Sequence, residues 1–268
     1  MAGGTPVFLD CPESQGFLPS MDDFAALISP RTKAFILNTP SNPNGCVWSR
    51  RQLEELGELA VRHDFYIVAD EIYEKLVYSG AEHISVATLS DEIKKRTILI
   101  NGVSKAYAMT GFRIGYAAGP RDVIEAMSNY QSQAASAPNS AAQHAAAIAL
   151  SMPQGCVEDM RRAFEERRDE LVRLINGIPS LSCRTPDGAF YAKLSNATDQ
   201  ERTAVAVVGV WAGEKLMRST AKTVTVPAGG MAVVQTKALE IGPGEHAEAY
   251  LWDGLNSQNP ISANRYIK

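Results

Sequence analysis

The segment Asn101–Tyr116 reads NGVSKAYAMTGFRIGY, and the interpretation of the whole chain starts from it. The apolar run Ile98–Ile100 precedes it and an Asn-Gly pair begins it, so the pattern predicts a buried strand that ends in a turn. Ligands of open α/β folds bind at such strand ends. Partial desolvation at this place would disfavour the charged form of Lys105, and an uncharged amine is a nucleophile for aldehydes.

Arg113 follows the lysine by eight residues and offers a planar guanidinium fork that suits a phosphate group. An amine for an aldehyde and a fork for a phosphate are two of the groups that pyridoxal phosphate requires. A lysine after a strand is also common as a solvated surface residue. The assignment therefore depends on the other motifs of the chain.

Two further motifs precede the lysine segment. The loop 38–45, NTPSNPNG, contains prolines that hold its backbone extended, so it can present Asn42 reproducibly, although an ordinary Asn-Pro turn would look the same. The apolar run 65–69 predicts a buried strand, and Asp70 follows it directly. That carboxylate must be paired or hydrogen-bonded, either as the N-cap of a helix from Glu71 onward or as an anion that faces a ligand.

Four motifs in this order resemble the class I/II aminotransferases, which are fold type I pyridoxal-phosphate enzymes. They are NTPSNPNG at 38–45, DEIY at 70–73, the pattern SK-x5-G-x-R-x-G at 104–115, and PDGAFY at 186–191. The likeness covers residues 1–193 and is greatest to the bacterial aspartate and aromatic aminotransferase subgroup. It implies transamination between an amino acid and a 2-oxo acid, with pyridoxal 5'-phosphate as cofactor, and it implies a homodimer.

The resemblance also implies a role for each matched residue. Lys105 would bind the cofactor covalently and move a proton at the substrate α-carbon. Asp70 would face the pyridine nitrogen, and Tyr73 would share the phenolic oxygen of the cofactor with Asn42. These three residues, Lys105, Asp70 and Tyr73, are the predicted catalytic residues, and all three would also bind the cofactor.

The phosphate of the cofactor would be bound by Arg113 and Ser104. Some relatives have a serine at the position of Gly102, and we expect Ser104 to replace it. The family also uses a glycine-rich phosphate turn, an aromatic residue stacked on the cofactor ring, and an arginine for the substrate carboxylate. The sequence has no match for these three features, so we expect impaired turnover.

The predicted fold is α/β, a partial large domain of the type I pyridoxal-phosphate transferases with a mostly parallel sheet and flanking helices. Thr5–Leu9 is predicted as its first strand. The predicted domains are residues 1–152, a linking helix with the start of a small domain at 153–193, and an unrelated β-rich segment at 194–268. The last segment resembles accessory β-sandwich modules of secreted bacterial proteins, and its alternating runs predict an antiparallel sheet that shares little core with the rest.

The bulk composition excludes several classes of function. A net charge of −4 with interspersed signs predicts no nucleic-acid surface, and no apolar run reaches the length of a membrane span. Four scattered histidines predict no metal site. Four widely spaced cysteines and an N-terminus without signal-peptide features predict a cytoplasmic protein.

Two alternatives remain open at this point. The retained motifs would also suit another fold type I enzyme, such as a β-lyase or a decarboxylase. In the other alternative, the chain is a non-catalytic surface or binding protein in which the β-rich segment is the working part. That alternative requires Trp211, Tyr250 and Trp252 to be exposed in a row.

Overall fold

Six helices and eleven strands make up the described part of this computed structural model, which covers residues 3–78, 80–177, 181–190, 192–196, 198–213, 215–234, 245–252 and 265–267. The helices are α1 Met21–Leu27, α2 Arg50–His63, α3 Asp91–Lys94, α4 Arg121–Ala134, α5 Ser140–Ser151 and α6 Gly155–Asn176. The strands are β1 Ala34–Asn38, β2 Tyr66–Asp70, β3 Thr97–Gly102, β4 Gly115–Ala118, β5 Leu181–Cys183, β6 Ala192–Asn196, β7 Arg202–Ala212, β8 Lys215–Val226, β9 Met231–Val234, β10 Glu245–Trp252 and β11 Arg265–Ile267.

The contacts divide the chain into two compact units. The first comprises the ranges 1–42, 46–161 and 187–189, and the second comprises 43–45, 162–186 and 190–268. The domain boundaries expected at residues 153 and 194 stay a prediction. None of the helices in the described ranges has the length and apolar character that a membrane crossing requires.

The first unit contains a four-stranded sheet in the order β1-β2-β3-β4. Strands β1, β2 and β3 are parallel, and β4 is antiparallel to β3. In this register Asn38 pairs with Asp70, and Asp70 pairs with Ile100. The carboxyl ends of the three parallel strands therefore lie side by side, as the mostly parallel sheet predicted from the sequence requires.

One face of this sheet packs against α1 and α2. Side chains alternate between the two faces of a strand, so Leu37, Ile67 and Ala69 point into the core while their neighbours point away from it. Leu53 and Leu56 of α2 are fully buried in the same cluster. On the opposite face Ile36 is 78% exposed.

Helix α2 begins at a capping box that its sequence predicts. The Ser49 side chain accepts a hydrogen bond from the Gln52 amide at 3.4 Å, and the Gln52 side chain accepts one from the Ser49 amide at 3.1 Å.

The prediction of a strand at Thr5–Leu9 is wrong, because this segment has no strand conformation and exposes Phe8. An apolar run forms a strand only where another strand is available to pair with it.

The second unit contains two antiparallel sheets, in the orders β5-β6-β9 and β11-β10-β7-β8. The antiparallel arrangement is as predicted. The expectation of little shared core is wrong, because β9 pairs with β6 and because Val224 and Val226 of β8 pack with Val172 and Ile175 of α6. The side chains of Trp211, Tyr250 and Trp252 lie outside those that the structure describes.

Candidate active site

The loop after β1 is tied to the end of β2 by Asn38. The Asn38 side-chain amide donates to the Asp70 carbonyl at 3.3 Å, and the Thr39 main-chain amide donates to the same oxygen at 3.3 Å. Asn38 Oδ1 accepts a hydrogen bond from the Asn42 amide at 2.7 Å. The backbone of the predicted cofactor ligand Asn42 is thus positioned directly beside β2, and its side chain is exposed.

Asp70 is the last residue of β2 and is half-buried. Its Oδ1 accepts a hydrogen bond from the Ile72 amide at 3.3 Å. No helix begins at Glu71 in the described chain, since the residues after Asp70 form a turn. The alternative of an N-cap is therefore wrong, and the carboxylate instead supports the start of this turn.

Tyr73 and Lys105 come together from two different loops. Tyr73 lies in the turn after β2 and is 3% exposed. Lys105 lies in the loop after β3, and its Nζ is 5.7 Å from the centroid of the Tyr73 ring, within the range of a cation–π contact. The amine of the predicted catalytic lysine is therefore next to the turn that follows Asp70.

The lysine loop contains backbone conformations that residues other than glycine rarely adopt. Ala108 has φ 53° and Arg113 has φ 56°, both in the left-handed region. Such residues cost about 1–3 kcal/mol each and are concentrated at functional sites. Arg113 is exposed, and its Nη1 donates to the Thr110 carbonyl at 2.9 Å, while Ser104 is half-buried. The phosphate-binding roles of Arg113 and Ser104 stay predictions.

Gly102 has no room for a side chain. A Cβ atom at this position would lie 2.7 Å from the Ile114 carbonyl oxygen and 3.2 Å from Ile72 Cδ1. The serine that some relatives place here would not fit the present backbone. Gly102 thus lets β3 and the segment before β4 approach each other closely.

The PDGAFY motif contacts the segment that follows the DEIY motif and the loop after β1. The Ala189 amide donates to the Leu76 carbonyl at 2.8 Å, and the Tyr78 hydroxyl donates to the Ala189 carbonyl. A Cβ atom on Gly188 would lie 2.8 Å from both the Leu76 carbonyl oxygen and Pro40 Cβ. The absence of a side chain at Gly188 therefore lets this residue pack closely against Pro40 of the NTPSNPNG loop and against the backbone of Leu76. Tyr191 lies outside the described residues.

Two tyrosines of the lysine loop and β4 have perturbed acidity. Burial raises the pKa of Tyr107, and electrostatic contributions from Glu74 and Cys156 raise it further. The Tyr107 hydroxyl donates to Gln154 Oε1 at 2.8 Å. Burial also raises the pKa of Tyr116, with smaller contributions from Glu74 and Tyr107. Both phenols are therefore protonated at neutral pH.

The sequence interpretation missed several residues around the site. The sequence pattern places Asn38 only within a loop, whereas its side chain connects that loop to Asp70. Glu71 is buried beside His83 and Ser85, which come from a segment more than ten residues later. A carboxylate directly after a buried strand was a signal that a partner must exist, but the identity of the partner depends on the tertiary structure.

A family model described as aminotransferase class I and II matches residues 1–235. The aspartate aminotransferase of Geobacillus stearothermophilus is 49% identical over 191 residues, which are 71% of this chain and 49% of the relative. That of Bacillus sp. (strain YM-2) is 41% identical over 236 residues, which are 88% of this chain and 60% of the relative. The chain spans about half the length of the curated relatives it matches.

Solved structures give the same result. The aspartate aminotransferase from Rhizobium meliloti superposes with a TM-score of 0.71 at 42% identity, covering 75% of this chain and 50% of that chain. The aromatic aminotransferase from Pyrococcus horikoshii OT3 superposes with a TM-score of 0.70 at 37% identity, covering 72% and 52%. The family match extends past the limit of residue 193 that the motifs predicted. The chain belongs to the class I and II aminotransferase family.

Proposed function

We propose that this chain carries the lysine-bearing part of a pyridoxal-phosphate-dependent aminotransferase, which moves an amino group between an amino acid and a 2-oxo acid. One observation carries the proposal: Lys105 Nζ lies 5.7 Å from the Tyr73 ring, beside the turn that follows Asp70. An amine, a phenol and a carboxylate at one edge of a parallel sheet are the groups that this chemistry uses.

The residues present fit the cofactor in their chemistry. The Lys105 amine suits its aldehyde, the Asp70 carboxylate suits its protonated pyridine nitrogen, and the Tyr73 hydroxyl and Asn42 amide suit its phenolic oxygen. When bound, pyridoxal phosphate supplies an electron sink for the bonds to the substrate α-carbon. Arg113 and Ser104 would hold the phosphate group.

The residues of this chain would then act as follows. Asp70 presents a fixed negative charge, because the Ile72 amide and the end of β2 hold its carboxylate in place. Lys105 accepts a proton from the substrate α-carbon and returns a proton on the other side of the reaction, as a general base and acid. Tyr73 is buried, so its ring shields the lysine amine from water.

The substrate is proposed from the relatives. The relatives from Geobacillus stearothermophilus and Bacillus sp. (strain YM-2) are named aspartate aminotransferases, and one solved structure is named an aromatic aminotransferase. We therefore propose aspartate or an aromatic amino acid as the amino donor. A homodimer and a cytoplasmic location, both expected from the sequence, belong to the same proposal.

The 268-residue chain alone should react slowly, because it spans about half the length of its relatives. Each lost charge-assisted contact costs about 1.5–3 kcal/mol, and each 1.36 kcal/mol is about tenfold in rate. The sequence has no match for the arginine that binds the substrate carboxylate or for the aromatic residue that stacks on the cofactor ring. Two losses of this size predict a rate that is lower by about two to four orders of magnitude. Ordinary aminotransferase rates would contradict this part of the proposal.

Covalent trapping tests the lysine assignment. The protein is incubated with pyridoxal phosphate, reduced with borohydride and digested, and the labelled peptide is identified by mass spectrometry. We expect the label on Lys105 and its loss in Lys105→Ala, whereas Lys94→Ala, which removes an exposed lysine of α3, should retain it. A label on another residue would refute the site. A coupled assay with aspartate and 2-oxoglutarate measures turnover in the same samples.

The variant Asp70→Asn tests the carboxylate. Asparagine retains the oxygen that accepts the Ile72 hydrogen bond, so the unfolding midpoint should stay close to that of the wild type. Retention of pyridoxal phosphate during dialysis should fall, because the amide carries no charge for a protonated pyridine. If the variant retains as much cofactor as the wild type, Asp70 has only a local structural role.

A further inference from the structure

Glu71 is a buried carboxylate that the proposed chemistry does not use. Its side chain is 2% exposed, although it stands between the half-buried Asp70 and the active-site turn. Ser85 Oγ donates to Glu71 Oε1 at 2.9 Å, and His83 Nε2 lies 3.0 Å from Glu71 Oε2. A buried charge without partners would be strongly destabilising, so these two contacts account for its presence.

The Ser85 hydroxyl donates to Glu71 and does not cap the short helical turn that follows it. It is the residue before a short 3-10 turn, Val86–Thr88, where a serine usually caps the helix start. Here it makes no capping hydrogen bond. Val86 is fully buried in the core of the first unit and Ile84 packs against that core, so the segment that carries His83 and Ser85 is firmly anchored.

The contacts also assign the proton on His83. Glu71 accepts from Ser85 with one oxygen, and His83 Nδ1 is buried without a hydrogen-bond partner. An unpaired buried N–H group is costlier and rarer than an unpaired acceptor. The arrangement that leaves no buried N–H unpaired places the proton of His83 on Nε2, which donates to Glu71 Oε2, and leaves Nδ1 without one.

A metal site is the competing interpretation of this cluster. Ligand atoms of Glu71, Glu74 and His83 all lie within 4.8 Å of one another. However, His83 Nε2 faces Glu71 directly, and the unpartnered Nδ1 lies across the imidazole ring from it. His83 Nε2 is thus already engaged by Glu71, and the cluster is explained by its own hydrogen bonds.

We propose that Glu71, His83 and Ser85 are positioning residues that hold the end of β2 at Asp70 and the turn that carries Tyr73. The Glu71 amide donates to the Ile100 carbonyl at 2.9 Å and so extends the pairing of β2 with β3, while its side chain is held by the 83–85 segment. Glu71 is therefore held by both its backbone and its side chain, and this restricts the positions of the residues next to it. The consequence for the cofactor rests on the proposed function, whereas the consequence for Asp70 does not.

Two NMR measurements on the full chain test the network without cofactor. The ¹⁵N shifts of His83 should show a protonated Nε2 and an unprotonated Nδ1, and a proton on Nδ1 would overturn the hydrogen-bond assignment. The ¹³C shift of the Asp70 carboxyl group should change in His83→Leu and return towards the wild-type value in His83→Gln, whose amide can still donate. A general loss of stability would not produce this pattern in the folded state.

Cofactor binding supplies the second readout. The Kd for pyridoxal phosphate should rise about tenfold in His83→Leu, corresponding to about 1.4 kcal/mol, and less in Ser85→Ala, which leaves the His83 contact intact. His83→Gln should bind more tightly than His83→Leu, and His63→Leu, at an exposed histidine of α2, should bind as the wild type does. Equal Asp70 shifts and equal Kd values in wild type and His83→Leu would overturn the proposal. If the wild type itself fails to bind pyridoxal phosphate, the proposed function is refuted, and the Asp70 shift alone still decides the positioning role.

Discussion

Replacing Gly102 with alanine should destabilise the first unit through a single steric conflict. Gly102 ends β3, where it pairs with Gly115, and it is buried. The added carbon would lie 2.7 Å from the Ile114 carbonyl oxygen and 3.1 Å from Gly115 Cα, whereas ordinary van der Waals contact begins at 3.4 Å. Because the nearest of these atoms belong to the backbone, no side-chain rotation relieves the contact, and β4 must move by several tenths of an ångström.

The expected cost follows from this geometry. Overpacking by one carbon in a close-packed region costs about 1–3 kcal/mol. With a urea dependence of about 2 kcal/mol per molar, the unfolding midpoint should fall by about 0.5–1.5 M. Fluorescence of the buried Trp48 reports on this unit in a background where Trp211 and Trp252 are replaced by phenylalanine.

Gly111→Ala is the matched control. It makes the same chemical change in the loop that follows β3, but Gly111 is exposed and a Cβ atom there would meet nothing within 4 Å. This variant should be unchanged or more stable by about 0.4–1 kcal/mol, since alanine restricts the unfolded chain. If Gly102→Ala unfolds at the same urea concentration as Gly111→Ala, the steric argument is wrong.

Two further predictions concern helix α2 and the lysine loop. Ser49→Ala removes one half of the capping box and should cost about 1 kcal/mol; an unchanged urea midpoint would contradict this role. The raised pKa of Tyr107 favours the protonated phenol in the folded state. The resulting contribution to the free energy of unfolding is present below about pH 10, which is the pKa of this phenol in the unfolded chain. It is lost as the pH rises through the higher pKa of Tyr107 in the folded state. The absorbance titration of wild type minus Tyr107→Phe should show a phenol that ionises above about 10, and ionisation at or below that value would refute the burial argument.

Local sequence patterns were sufficient to predict much of the first unit. The capping box at Ser49 and the strands before Asp70 and before the Lys105 loop depend on spacing and composition within a few residues. The prediction that the run Ile98–Ile100 is buried is wrong, because Ile98 and Leu99 are only half-buried and Ile100 is 36% exposed. The order of the four motifs identified the family, because each combines a backbone requirement with a side-chain chemistry. Failures occurred where the outcome depended on distant residues, as for Thr5–Leu9, which lacks strand conformation although its composition favours a strand.

The amino-acid sequence by itself determined which chemical groups are present and where strands end. The tertiary structure alone decided which of these groups meet. The register of β1 against β2 places Asn38 beside Asp70, and the approach of β4 to β3 excludes a side chain at Gly102. The tertiary structure also brings His83 to Glu71 and packs Val226 with α6. These contacts join segments from twelve to more than fifty residues apart, and local spacing carries no information about distances that only the packed chain sets.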